Sequence, residues 1–216
     1  MAICREFYFP SSDGSSRIHA AEWMPESGEI IGVLQIAHGV AEYGMRYAPF
    51  AEFMTEHGFA VVANDHLGHG KTAENEQELC FFAEKDGWND VVSDMDTLHK
   101  LTAAKYPGVP YFLFGHSMGS FLTRTYIIDH PEGLKGVVIS GTGQNPGAVI
   151  AAGKLMAKLE MIDNGPMYHS PTLDKLAFGS YNKKYDHVRT KLDWLTRDEA
   201  VVDAYICLLY TSDAAD

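Results

Sequence analysis

The run YFLFGHSMGSFLTRTYIIDHP, residues 111–131, decides the fold. Residues 111–114 are a short apolar and aromatic run of strand character, and residues 118–130 read as a helix stopped by Pro131. Between them, Gly115-His116-Ser117-Met118-Gly119 fits G-x-S-x-G. The spacing has a steric cause. A turn tight enough to pass straight from strand into helix brings the positions two before and two after the serine against neighbouring backbone, and glycine removes the clash. Such a turn holds the serine in a strained conformation with its hydroxyl raised from the carboxyl edge of the sheet. The helix that follows aims its first N–H groups at the same place, where they favour a developing oxyanion. The competing reading is a glycine-rich turn that merely contains a serine. The strand before it and the helix after it favour Ser117 as a nucleophile.

Working outward, the chain alternates strand and helix. Residues 134–140 form a strand after the Ser117 helix. Upstream, Trp88, Val91, Val92, Met95 and Thr102 mark one helix face, closed by Pro107-Gly108. Residues 59–63 are apolar and residues 31–37 nearly all apolar, as expected of strands buried on both faces. Tyr47, Phe50, Ala51 and Met54 fall at i, i+3, i+4 and i+7, a helix stopped at Gly58. Residues 6–10 and 17–24 read as a hairpin around Ser11-Ser12-Asp13-Gly14. The alternation predicts an α/β fold with a mostly parallel sheet flanked by helices. After residue 145 the rhythm changes to helical segments at 148–162, 172–178 and 197–206, a candidate lid. The expected organisation is a core over 1–145, a helical cap over 146–206 and a tail over 207–216.

A second signal is His38-Gly39-Val40, directly after the strand at 31–37. An oxyanion hole in this architecture takes one N–H from the residue after the nucleophile and one from the loop after the third strand. Those positions are Met118 and Val40. His38 is read as a hydrogen-bonded residue that shapes this loop, in preference to a proton-transfer role. The segment Asp65-His66-Leu67-Gly68-His69-Gly70 invites a metal reading, but it is a turn and offers no third or fourth ligand. Asp65 and the glycines are better read as fixing a tight loop beside the site, with no metal.

The 216 residues carry 17 Lys and Arg against 29 Asp and Glu, a formal charge of -12. An acidic chain repels phosphate backbones and anionic lipid heads, which argues against nucleic acid as a partner. No apolar run reaches the ~20 residues of a membrane span, so no stable membrane anchor is expected. Three widely spaced cysteines, Cys4, Cys80 and Cys207, give neither metal-ligand spacing nor a disulfide framework, and fit a reducing cytoplasm.

The run HGVAEYGMRYAPFAEFMTEHGFAVVANDHLGHGKT, followed by GHSMGS, resembles the monoacylglycerol lipase and lysophospholipase-like group of α/β-hydrolases. The segment FGSYNKKY with DWLTRDEAVVDAY is similar to the cap of its bacterial members. The resemblance covers about residues 5–205. It implies a Ser–His–Asp triad, no cofactor, and small acyl esters such as monoglycerides or lysophospholipids as substrates. By residue it implies Ser117 as the nucleophile, and Val40 and Met118 as the oxyanion donors. The reaction implied is carboxylic-ester hydrolysis through an acyl-enzyme on Ser117. Alternatives are a thioesterase, acyltransferase or peptidase of the same fold, or an inactive fragment. A dehalogenase or epoxide hydrolase is disfavoured, because the elbow carries Ser and not Asp. Ser120 stands where many relatives have a further glycine, a small change that helix packing tolerates. In this fold the triad runs in the order Ser, Asp, His, and after Ser117 only His130, His169 and His187 follow. The expectation is therefore a truncated chain with its C-terminal strands and its triad Asp and His missing, and so inactive as it stands. The final CLLYTSDAAD, residues 207–216, breaks the resemblance and looks like translated sequencing-adapter read-through.

Overall fold

The computed structural model describes residues 2–207, so the tail reading lies outside the described residues except at Cys207. One compact unit ends at Thr142 and a second begins at Gly143. In the first, β1 (Ala2–Pro10) and β2 (Arg17–Pro25) form the hairpin, and β3 (Gly32–Ala37), β4 (Phe59–Asn64), β5 (Tyr111–His116) and β6 (Leu134–Ser140) complete a six-stranded sheet. The strand order is β1-β2-β4-β3-β5-β6. Pairing is antiparallel from β1 to β2 and from β2 to β4, and parallel from there on. The sheet is thus mostly parallel and flanked by helices, as the alternation predicted.

The expected strands are all present, with longer ends where pairing extends them. β1 starts four residues before the expected Glu6 because it pairs along the whole of β2, Ala2 opposite Pro25. β5 runs two residues past Phe114 because His116 is still in register with Ser140. β3 is buried at every position, yet it contains Gln35. That amide is satisfied internally: it donates to the Met95 carbonyl at 2.9 Å and accepts from the Tyr111 hydroxyl at 2.7 Å.

Three helices cover the two faces of the sheet. From α1 (Ala48–Glu56), Ala51 packs with Trp23, Leu34, Ile36 and Val61 on one side. From α2 (Gly87–Lys105) and α3 (Met118–Asp129), Val91, Met95, Leu98, Leu122 and Tyr126 pack with Ile18, Val62 and Leu113 on the other. Neighbouring residues Val61 and Val62 enter opposite clusters, the two-residue period of a strand buried on both faces. β1 and β6 are the edge strands, and Val138 and Ile139 are exposed on β6.

In the second unit, α4 (Gly147–Asn164), α5 (Pro171–Phe178) and α6 (Glu199–Ile206) follow one another with no strand among the described residues. α6 begins two residues later than expected because Asp198 caps it, accepting from the Ala200 N–H. Ser170 caps α5 in the same way through the Leu173 N–H.

The hairpin turn is held to α2 by one carboxylate. Asp94 accepts from the Ser11 hydroxyl and from the Ser12 N–H, each at 2.7 Å. Burial outweighs those hydrogen bonds and pushes the Asp94 carboxyl up to about 6. A carboxyl raised on folding keeps its proton longer in the folded chain. Its favourable share of stability is therefore present at low pH and is lost as pH climbs from the ordinary 3.8 to about 6. The full effect is about 3 kcal/mol at most. Asp94→Asn, which can still meet Ser11 and Ser12, should remove this share of the pH dependence. Thermal melts of both proteins from pH 4 to 7 check it, with the variant's advantage growing toward pH 7.

Candidate active site

The structure makes the turn at residues 115–119 as tight as the glycines require. Ser117 sits at φ +52°, ψ −118°, a region that costs a non-glycine residue about 1–3 kcal/mol. Hydrogen bonds hold it there from both sides. Its N–H donates to the Ser140 carbonyl of β6 at 3.0 Å, and its carbonyl accepts from the Ser120 N–H at 2.9 Å and the Ser120 hydroxyl at 2.6 Å. A Cβ on Gly119 would lie 2.0 Å from the Ala37 carbonyl oxygen, and one on Gly115 would lie 2.5 Å from the Gly119 carbonyl. Any side chain at either place would force β3, β5 and α3 apart. Ser120 is thus more than a tolerated replacement, because its hydroxyl ties down the strained residue.

The loop after β3 lies against this turn. A Cβ on Gly39 would come within 3.2 Å of the Ser117 Cβ, so the loop carrying Val40 and the turn carrying Ser117 and Met118 are brought together. Gly39 donates its N–H to Glu42, whose carboxylate also takes the Tyr47 hydroxyl at 2.8 Å and pairs with Arg46. Glu42 is buried and was not singled out from the sequence. Its spacing of four from Arg46 is the one local signal that could have marked it.

Asp65 fixes loops, as read from the sequence, and it does so across three segments. It accepts from the Gly44 N–H at 2.7 Å, from the Lys71 N–H at 2.8 Å, and from His19 Nδ1 of β2 at 2.8 Å. His19 Nε2 in turn meets Glu6 at 2.6 Å, and Lys71 pairs with Glu6. Burial works to raise the Asp65 carboxyl. The hydrogen bonds from His19 and Gly44 and the nearby histidine charge outweigh it and hold the group below the usual carboxylate range. Among the described residues, no group of three His, Cys, Asp or Glu side chains is arranged to hold a metal ion.

Behind the loop, His38, His66 and His69 form a buried stack, with ring centroids 4.1 Å apart for His38 and His66 and 5.2 Å for His38 and His69. Burial depresses all three imidazoles, His66 well below its ordinary value and His69 to about 4. His130 closes the far end of the twelve-residue α3, 3.7 Å from Asp96. That is ~18 Å along the helix from Ser117. His169 and His187 belong to the second unit.

A serine strained into positive φ between a parallel strand and a helix, with the next glycine pressed on the end of the neighbouring strand, is the nucleophile-elbow arrangement, and the fold around it is that of the α/β-hydrolases. Solved structures agree. A thermostable carboxyl esterase from Bacillus coagulans, in complex with glycerol, superposes with TM-score 0.86 at 27% identity, over 99% of this chain and 68% of its own. Within that class, the chain belongs to the family described as Serine aminopeptidase, S33, whose sequence profile matches residues 28–207. Similar relatives include a monoglyceride lipase homolog of Monkeypox virus, 31% identical over 71% of this chain and 52% of the relative. Another is the monoacylglycerol lipase of Mycolicibacterium smegmatis, 31% identical over 68% of this chain and 51% of the relative. The chain spans about half the length of these curated relatives.

The buried stack sets an acid limit on stability. A histidine whose folded pKa is depressed leaves the unfolded chain as the better proton acceptor. Stability is then complete above about 6.5 and falls as pH drops toward the folded value, about 4 for His69. The loss across that window is on the order of 3 kcal/mol for this one group. His69→Asn keeps a donor for the Leu67 carbonyl, which His69 Nδ1 meets at 2.9 Å, and cannot take the proton. It should melt lower than the parent at pH 7 but lose less stability between pH 6.5 and 4, as read by denaturant titration at each pH.

Proposed function

We propose that the protein hydrolyses small carboxylic esters of the monoacylglycerol or lysophospholipid type through an acyl-enzyme on Ser117. The observation that carries this reading is the positive-φ Ser117 at the start of α3, with the Gly39–Val40 loop packed against it. In this mechanism the Ser117 hydroxyl attacks the acyl carbonyl. The tetrahedral oxyanion is taken up by the Val40 and Met118 N–H groups, and Met118 adds the positive end of the α3 dipole. The alcohol leaves with a proton, and water then releases the acid. The base is a histidine oriented by an aspartate, placed later in chain order than Ser117. His38 does not fill that role, since both its ring nitrogens already have backbone partners. Nor does His130, at the far end of α3.

Ester rather than peptide substrates are supported by the lipases and the carboxyl esterase named above, although the family description names an aminopeptidase. The chemistry needs protein groups alone, without a cofactor. The charge of -12 makes nucleic acid an unfavourable partner. No helix among the described residues is long and apolar enough to cross a membrane. Cytoplasmic placement, in keeping with free thiols at Cys4, Cys80 and Cys207, completes the reading.

A fluorophosphonate should label the full-length protein at Ser117, and Ser117→Ala should abolish both labelling and esterase turnover. Peptide mass spectrometry locates the adduct, and an adduct on another residue overturns the assignment. On the same protein, monoacylglycerols and p-nitrophenyl esters should turn over faster than aminoacyl anilides. Faster anilide hydrolysis in a steady-state comparison would select the peptidase alternative instead.

A further inference from the structure

Ser120 is fully buried on the first turn of α3, and its hydroxyl lies 2.6 Å from the Ser117 carbonyl oxygen. A carbonyl oxygen can only accept, so the hydroxyl donates. The Ser120 N–H reaches the same oxygen at 2.9 Å. One residue thus brings two donors to one carbonyl. Alanine or glycine at position 120 would bring only the N–H.

The consequence falls on Met118. The Ser117 carbonyl and the Met118 N–H belong to one peptide unit. No cis peptide bond occurs among the described residues, so the two groups point in opposite directions. Ser120 draws the carbonyl along α3, which leaves the Met118 N–H directed out of the helix start, where the first N–H groups have no helical carbonyl to meet. That peptide plane turns about ψ of Ser117, which stands at −118° with φ at +52°. A strained conformation of this kind persists only where its surroundings over-determine it. The bond from the Ser117 N–H to Ser140 fixes one side of the residue, and Ser120 fixes the other. A second effect is electronic. Accepting a hydrogen bond polarises the whole peptide unit, so the N–H at its other end becomes a stronger donor, by about 10–30% per bond.

We propose that Ser120 is a positioning residue for ester hydrolysis: through the Ser117 carbonyl, its hydroxyl sets the direction and the donor strength of the Met118 N–H that takes up the oxyanion. This rests on the reading of Ser117 as nucleophile and Met118 as donor. It gives Ser120 a part in transition-state stabilisation without contact with substrate.

Two variants of the full-length protein separate this role from a structural one. Ser120→Ala and Ser120→Gly both remove the hydroxyl, keep the backbone N–H and leave no donor unpaired. Both residues are smaller than serine, so neither meets a clash. Alanine favours a helix and glycine weakens it, so Ser120→Ala should melt above Ser120→Gly. Both should nevertheless lose about tenfold in kcat on a monoacylglycerol with KM little changed, less than the ~100-fold of losing an oxyanion donor outright, because the Met118 N–H remains but is less well held. Unchanged kcat in Ser120→Ala overturns the proposal, as does a loss confined to Ser120→Gly or one carried by KM alone. The amide proton shift of Met118 gives a second readout that needs no turnover. It should move downfield when a fluorophosphonate forms its tetrahedral adduct on Ser117, and move less in Ser120→Ala than in the parent. An equal movement in the two proteins overturns the proposal. Ser117→Ala separates the two levels. Full activity in that variant defeats the hydrolase reading itself, whereas an inactive Ser117→Ala beside an undiminished Ser120→Ala defeats only the positioning role.

Discussion

The clearance between Gly119 and the end of β3 governs the rest of the site. With a would-be Cβ only 2.0 Å from the Ala37 carbonyl oxygen, α3 starts hard against the strand that precedes the His38 loop. That contact brings the α3 N-terminus and the loop together at the end of β3. It also leaves Ser117 no relaxed conformation, and the positive φ follows from it. The strain is held by groups that a loose turn would not have: the Ser140 carbonyl on β6 and the Ser120 hydroxyl on α3. The edge strand β6 is therefore tied directly to the serine backbone.

What the sequence made legible was whatever sterics and period write locally. Glycines two residues either side of Ser117 announce a turn without room for a Cβ, and a run of β-branched residues announces a strand buried on both faces. The place of His38 in shaping its loop was also readable, because a histidine before Gly-x after a buried strand has few other uses. What stayed hidden was long-range. Asp65 meets His19 across 46 residues and Gly44 across 21, and no local pattern marks either pairing. Glu42 sits in a loop, where an acidic residue is ordinarily solvated, yet it is buried and receives the Gly39 N–H. Gln35 lay unnoticed within an apolar strand because its partners come from α2 and β5. Element ends shifted for the same reason, since pairing partners and caps set the ends of β1, β5 and α6.

The charged groups around the site act mainly as fasteners. A buried ion pair adds little net stability, because desolvation consumes most of the attraction. Its value lies in specifying one arrangement. Asp65 joins the hairpin, the loop after β3 and the loop after β4 through one carboxylate. These three segments are set in place together, and none can shift without leaving a buried carboxylate short of a donor.

In the proposed mechanism the two groups that take up the oxyanion are peptide N–H groups, not side chains. Every residue type except proline supplies the same donor, so the identities of positions 40 and 118 are uncoupled from charge stabilisation. Half-buried Val40 can vary in its side chain without touching that donor, whereas Met118 packs against the core formed with α2 and α3. In the proposed mechanism the chemical part played by position 40 thus resides in its backbone, and its side chain is left to other demands. On that reading the loop after β3 can exchange its side chain at position 40 while the chemistry assigned to its backbone stays the same.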